Sequence, residues 1–260
     1  MTTQITTELI KELRDATSVS VMQCKKALEE AEGDMEKAKM ILKNKSRDAA
    51  EKKADRNASE GIIVVANGSG KTVLLTLHCE TDFVARNEEF IKIANELAMI
   101  ALNDGIDAMN AKSAEIIGQI IQKIGEKIEL GKVEVIEGDV IGSYVHSGKK
   151  AVVVVLAGGT AELAKDIAMH IAAMNPSYTT RNEIDADTQA KAKEIFMKEL
   201  EGSDKPQEIK DKILNGKIDT FFKEQTLVDQ SFIKNPDMTV GALLTQSKAS
   251  INKFIKESIG

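Results

Sequence analysis

The chain has 260 residues, of which 42% are hydrophobic and 29% are charged, a composition typical of a globular protein with one or two domains. Only 3% of the residues are aromatic and none is Trp, so the core must consist mainly of aliphatic side chains. The formal net charge of −6 argues against a protein that follows nucleic-acid phosphates, and no apolar run approaches the roughly 20 residues that a membrane-spanning helix needs. We therefore expect neither a nucleic-acid partner nor a membrane.

The start of the chain and its cysteines indicate the cytoplasm. The first residues show no basic-then-apolar stretch of the kind that opens a secretory signal. Cys24 and Cys79 lie in separate segments, and reduced thiols are the natural state of cysteines in such a protein. We therefore expect a cytoplasmic protein.

Apolar residues at helical spacing predict three short helices within residues 1–46. Their stripes are Leu9, Ile10 and Leu13; Val21, Cys24, Leu28 and Ala31; and Met35, Ala38, Ile41 and Leu42. Gly33 stops the second helix and Asp34 can cap the third, so the three helices form a small bundle with a marginal core. Residues 47–59 are charged and almost free of apolar side chains, which predicts a linker that is either an exposed helix or extended.

The next part of the chain contains an internal repeat of the order strand, turn, strand, helix. The first copy comprises residues 61–66, 72–77 and 90–101, and the second comprises residues 140–144, 151–156 and 161–174. The turn sequence Ser69-Gly70-Lys71 recurs 78 positions later, whereas Ala98-Met99 in the helix recurs 70 positions later. The first copy therefore has eight extra residues, 79–86, in a loop that displays Asp82 and Phe83. Sites commonly lie on such loops.

These segments predict an α+β fold built from two duplicated subdomains, each an antiparallel sheet with a helix, at residues 60–139 and 140–260. Between the copies, residues 116–128 predict a second amphipathic helix. Residues 187–222 predict a helical hairpin inserted in the second subdomain and joined by residues 201–205. Because its apolar stripe is narrow, we expect this hairpin to protrude. Residues 227–260 return to strand and helix character.

Two glycine-containing segments resemble nucleotide-binding motifs without matching them. The segment from Gly68 to Thr72 has Val65 where a phosphate-binding loop requires Gly, and it joins strand to strand instead of strand to helix. Gly158-Gly159 precedes a helix, but no third Gly follows. We predict a hairpin turn and a strand-to-helix turn, and a chain that binds no nucleotide of its own.

The histidines and cysteines do not have the spacing of a zinc site. His170 lies on the apolar face of a helix and is predicted to belong to the core. His146 lies in the turn of the second hairpin and should be exposed. The spacing does not decide whether it is a chance polar residue or a functional contact. No local catalytic constellation is present, so we expect no enzyme, no metal and no cofactor.

Phe83 is the most informative single residue. An aromatic side chain in a loop, in a chain with few aromatics, either folds back onto the core or is displayed for a partner, and the spacing leaves both alternatives open.

Several motifs, in this order along nearly the whole chain, resemble those of the elongation factor Ts family. They are Leu13-Arg14-Asp15-Ala16-Thr17, the run from Met22 to Asp34, Thr81-Asp82-Phe83-Val84-Ala85-Arg86-Asn87, Lys123-Ile124-Gly125-Glu126, Gly142-Ser143-Tyr144-Val145-His146 and the run from Ile167 to Ala173. The resemblance implies an N-terminal domain of the ubiquitin-associated type, with three helices, followed by a core of two α+β subdomains and a protruding helical hairpin.

The resemblance also implies a function, guanine-nucleotide exchange on the GTPase elongation factor Tu. The loop of Thr81, Asp82, Phe83 and Val84 would insert beside the magnesium site of the partner and promote GDP release. His146 would join Phe83 in that contact, and Ile124 and Gly125 would support it. Leu13, Val21 and Met22 would lie where the N-terminal helices dock on the partner.

Two alternatives remain. The chain could be an adaptor or scaffold that binds through its N-terminal bundle without promoting exchange, or a nucleotide-binding enzyme, which only the incomplete phosphate-loop match supports. Self-association through the core also stays open.

Overall fold

The computed structural model describes residues 5–17, 19–201 and 206–260. The fold is α+β, as the sequence predicts, and its contacts divide it into two compact units. The first unit comprises the chain up to Ile136, together with Val145–Ala151 and Glu257–Gly260; the second comprises Glu137–Tyr144 and Val152–Lys256. Residues 145–151 therefore belong to the first unit by their contacts, although they join the two hairpin strands of the second copy of the repeat.

The first unit begins with the three predicted helices, α1 (Thr7–Thr17), α2 (Val21–Glu30) and α3 (Met35–Glu51). Ser20 and Asp34 cap α2 and α3 by accepting bonds from the backbone N–H groups of Gln23 and Lys37. The bundle core is aliphatic and includes Leu13, Cys24, Ala27, Leu28, Ala38 and Leu42. Val21 departs from the predicted stripe: it is 50% exposed, because it is the first residue of α2 and lies beyond the core.

Of the two alternatives for the predicted linker, an exposed helix or an extended segment, residues 47–51 take the helical one, because they continue α3. Ser46 is buried, and its hydroxyl oxygen lies 3.0 Å from the Leu42 carbonyl oxygen and 2.6 Å from Oε1 of Gln122, within hydrogen-bond distance of both. A Cβ added to Gly118 would lie 3.4 Å from Cβ of Ser46. Small residues at this crossing let α3 approach the helix that carries Gly118 closely, while the charged residues of the segment face solvent.

The sheet of the first unit contains β1 (Glu60–Asn67), β2 (Lys71–Cys79) and β3 (Ile128–Glu137), in the order β1-β2-β3. β1 and β2 are antiparallel, with Asn67 opposite Thr72, and the Gly68 N–H donates to the Lys71 carbonyl at 2.9 Å. The predicted hairpin turn is thereby confirmed. After β2 come α4 (Asp82–Ala85), α5 (Glu88–Asp104) and α6 (Ile106–Ile124), and α5 packs on the hairpin around Phe90, Ala94 and Leu97.

The predicted helix at residues 116–128 was placed too late. α6 begins at Ile106 and ends at Ile124, where Gly125, at φ +85°, donates its N–H to the Ile121 carbonyl. The start of α6 was not predicted because the first half of the helix is rich in polar residues. The helix ends where a glycine adopts the left-handed conformation. β3, which follows, was not predicted.

The second unit repeats this arrangement. Its sheet contains β4 (Val140–His146), β5 (Lys150–Ala157) and β8 (Ser250–Ser258), in the order β4-β5-β8. In each sheet the third strand pairs with the second strand of the hairpin, so the duplication extends beyond the predicted hairpin and helix. Gly158 and Gly159, at φ +75° and +76°, form the predicted turn into α7 (Ala161–Met174).

The rest of the second unit is a helical pair followed by a short closing segment. The pair, α8 (Ala186–Leu200) and α9 (Gln207–Gln225), confirms the predicted helical hairpin, whose connecting residues 202–205 lie outside the described residues. The closing segment comprises β6 (Ser231–Phe232), β7 (Asn235–Thr239) and α10 (Val240–Gln246), in front of β8. The hairpin and the segment before it share an apolar cluster, formed by Tyr178, Ile184, Ala192, Phe196, Ile218, Phe221 and Phe222.

His170 is buried in α7, as predicted. Its Nδ1 accepts from the Ile233 N–H at 3.3 Å, so that Nε2 carries the proton that it donates to Oε1 of Gln230 at 2.8 Å. Burial lowers the pKa of His170, in agreement with a neutral ring. Within the described ranges, none of the helices combines the length and the apolar character that crossing a bilayer requires.

Candidate functional site

The site is built around the inserted loop between β2 and α5. Thr81 begins the one-turn helix α4, and its Oγ1 accepts from the Val84 N–H at 3.4 Å. Asp82 and Arg86 form an ion pair at 3.1 Å across this turn. Asn87 then begins α5 by accepting from the Glu89 N–H at 2.9 Å. Thr81 and Asn87 thus cap two successive helices, and these bonds give the loop a defined shape.

Phe83 is displayed at the outer side of this loop. Its side chain is 82% exposed, whereas the neighbouring Val84 and Ala85 are buried in the core of the first unit. Of the two alternatives for Phe83, the structure therefore selects display, because one side of α4 holds the loop on the core and the other presents the ring. A largely exposed phenyl group on an ordered loop is unfavourable in water and is typical of a contact surface.

The base of the loop is held by the turn that follows α6. Glu126 accepts from the backbone N–H groups of Glu80 at 3.1 Å and Thr81 at 3.0 Å, and from the Thr81 hydroxyl at 2.7 Å. In return, Oε1 of Glu80 accepts from the Lys127 N–H at 2.6 Å and from Arg56 at 3.2 Å. The Lys127 bond, followed by Arg56, lowers the pKa of Glu80. We call these reciprocal bonds the Glu80–Glu126 clasp.

The turn that carries His146 lies at the same end of the β1–β2 hairpin. The Gly148 carbonyl accepts from the Ile63 N–H at 2.7 Å, and Lys149 forms an ion pair with Glu60. Glu60 is the cross-strand partner of Cys79, the last residue of β2 before the Phe83 loop. His146 ends β4, immediately before this turn, and is exposed as predicted. Two sequence-distant candidate residues, Phe83 and His146, are therefore brought to one end of one hairpin.

Ile124 and Gly125 precede the clasp directly. Ile124 is half-buried and packs against the core, whereas Gly125 is exposed and has no atom within 4 Å of the position that a Cβ would take. Lys123 forms an ion pair with Glu89 at 2.5 Å, which ties the end of α6 to the start of α5. Gly125 thus lies on the surface beside the loop base, and Ile124 joins it to the core.

The predicted contacts in the bundle divide into two kinds. Val21 and Met22 are 50% and 62% exposed at the start of α2, and they present an apolar surface to solvent. Leu13 is fully buried in the bundle core, so it can support that surface from beneath but cannot itself touch a partner.

The thiol of Cys79, at the base of the loop, is buried and is a poor nucleophile. Burial, with a contribution from the nearby Glu126 carboxylate, raises the pKa of Cys79 to about 12. Burial likewise raises the pKa of Cys24. In the part of the chain that the structure describes, His, Cys, Asp and Glu side chains form no group of three that could hold a metal ion.

Sequence reasoning did not single out the clasp or the ion pair of Lys149 with Glu60. Glu126 is part of the quoted Lys-Ile-Gly-Glu motif, but neither periodicity nor spacing shows that its carboxylate reaches a segment 45 residues earlier in the chain.

Comparison with known proteins identifies the family. The family model described as Elongation factor TS matches residues 80–260. Elongation factor Ts of Hahella chejuensis is 39% identical over 263 residues, covering 98% of this chain and 92% of that protein. The elongation factor Ts proteins of Hydrogenovibrio crunogenus and Francisella tularensis subsp. novicida are 39% and 40% identical, with the same shares of each chain covered. With the family model matching more than half of the chain and these relatives matching nearly all of it, the chain belongs to the elongation factor Ts family of translation elongation factors.

Proposed function

We propose that this chain is a guanine-nucleotide exchange factor that binds elongation factor Tu in its GDP form and promotes release of GDP. The observation that carries the proposal is Phe83, which is 82% exposed on an ordered, capped loop in a member of this family. The loop inserts as a wedge beside the magnesium and phosphate site of the partner, and His146 contacts the partner beside it.

A wedge of this kind acts by differential binding. GDP is held in a GTPase by its magnesium ion and by backbone donors around its phosphates. An inserted side chain that displaces those groups weakens the hold on GDP without any covalent chemistry. The coupling is reciprocal, so that bound GDP must weaken the affinity for the exchange factor by the same factor. In this proposal the chain is not an enzyme, binds no nucleotide itself and works in the cytoplasm.

The bundle provides a second contact. Val21 and Met22 offer exposed apolar surface on α2, and two contacts on one partner raise affinity through effective concentration. The same surface also favours the alternative, an adaptor that binds through the bundle without promoting exchange.

A stopped-flow experiment separates these functions. Elongation factor Tu is loaded with a fluorescent GDP analogue and mixed with this chain and excess unlabelled GDP. Release that accelerates with the concentration of the chain supports the exchange factor. Binding without acceleration would indicate the adaptor, and tight binding of the analogue by this chain alone would indicate the nucleotide-binding enzyme.

A further inference from the structure

The Phe83 loop is attached to the rest of the first unit in two ways: Val84 and Ala85 are buried in its core, and the Glu80–Glu126 clasp holds the base of the loop. Glu126 binds two consecutive backbone N–H groups and one hydroxyl. The same Thr81 hydroxyl oxygen accepts from the Val84 N–H inside α4. One carboxylate therefore fixes both the start of the loop and, through Thr81, the first turn of the helix that carries Phe83.

From this arrangement we infer that Glu126 is a positioning residue for exchange, acting through Phe83 without touching the partner's nucleotide site. The inference rests on the proposed function. A wedge must reach its target in one orientation, and a displayed side chain that is ordered before binding loses less entropy when it docks. Hydrogen bonds that a carboxylate accepts from N–H and O–H groups are among the stronger ones that a half-exposed site can provide.

The clasp is separate from the hydrophobic core. Its members, Glu80, Thr81, Glu126 and Lys127, are half-buried and polar, and none of them belongs to the core cluster of the first unit. Removing the Glu126 carboxylate should thus loosen the loop while β1, β2 and α5 keep their packing. This separation makes a positioning role distinguishable from a structural one.

The first measurement needs no partner. Amide hydrogen exchange is compared between the wild type and Glu126→Ala, with Glu126→Gln as a milder variant should the alanine variant fold poorly. We expect faster exchange at the amides of Glu80 and Thr81 and unchanged protection along β1 and β2. The control is Glu134→Ala, which removes a half-buried glutamate paired with Lys132 at 3.0 Å in β3 of the same unit. It should leave the loop amides unchanged.

The second measurement is a double-mutant cycle in the GDP-release assay. We expect Glu126→Ala to slow release about ten-fold, the order expected for losing hydrogen bonds to a charged group, and Glu134→Ala to match the wild type. If Glu126 acts through Phe83, then adding Glu126→Ala to Phe83→Ala should change the rate by less than about two-fold.

Losses that multiply in the double variant, or loop amides that stay protected in Glu126→Ala, would overturn the positioning role while leaving the exchange function intact. A wild-type chain that does not accelerate GDP release would refute the proposed function, and with it this role. The two failures are therefore distinguishable.

Discussion

Replacing Phe83 by Ala tests the central element of the proposed mechanism. Burying a whole Phe side chain is worth about 1.5–3 kcal/mol relative to leaving it in water. Since 82% of this side chain is exposed, docking can gain about 1.2–2.5 kcal/mol from it. If the transition state for GDP release contains the whole contact, Phe83→Ala should slow release about 10- to 70-fold. Folding stability should change by no more than about 0.5 kcal/mol, because the ring contributes little to the core.

The assay is stopped-flow release of labelled GDP at sub-saturating concentrations of the chain, accompanied by thermal melting. Met99→Ala is the matched control, because Met99 is a large apolar side chain of the same unit, 46% exposed on α5, outside the proposed contact. It should release GDP at the wild-type rate. A folded Phe83→Ala variant that is as active as Met99→Ala would remove Phe83 from the mechanism, and a variant that loses its thermal transition would show that the ring supports the fold.

Three further outcomes concern the second unit. Burial lowers the pKa of His170 below its ordinary 6.5, so the unfolded chain protonates first as the pH falls. Stability should therefore fall as the pH drops below about 6.5. A melting temperature that is equal at pH 7.5 and 5.5, or a pH dependence of stability that His170→Gln does not reduce, would contradict this. Gly158→Ala should destabilise by about 1–3 kcal/mol in urea unfolding, because φ is +75° and the new Cβ would lie 2.4 Å from the Lys248 carbonyl oxygen. Gly216→Ala in α9 meets no atom within 4 Å and should stabilise by about 0.5–1 kcal/mol; the opposite order of the two variants would refute the argument. Replacing residues 187–222 by a short Gly-Ser linker should preserve circular dichroism of the sheets and basal GDP release, since all members of the hairpin's apolar cluster except Tyr178 and Ile184 are removed together. Abolished release in a folded variant would place the critical contact in the hairpin.

The sequence predicted the helices and strands that depend on short-range patterns of residues. The hairpins, the bundle helices and α7 follow from alternation, caps and apolar spacing, and the eight-residue excess between the copies correctly located the loop that displays Phe83. Whether Phe83 pointed inward or outward could not be predicted, because that depends on the burial of Val84 and Ala85 on the other side of α4.

Long-range pairing was the part that spacing could not supply. β3 was missed because its side chains alternate only weakly between buried and exposed. The packing of α3 on α6 was not predicted, because Ser46, Ala49 and Ala50 contribute to it through their small size in a segment that is otherwise rich in charged residues. The clasp joins residues far apart in sequence through a single carboxylate, and no periodicity reports such a contact.

Because Cys79 is buried at the base of the loop, the rate at which its thiol is alkylated can report how often the loop opens. Burial raises the pKa of the Cys79 thiol to about 12, so that very little of it is ionised at pH 7, and Sγ of Cys79 also donates to the Thr81 carbonyl at 3.2 Å. An alkylating reagent can therefore reach this sulfur only when β2 and the loop separate. In a Cys24→Ala background, the alkylation rate of Cys79 would measure how often the loop opens. A partner docked on the loop would lower that rate in proportion to the fraction of chains that are bound.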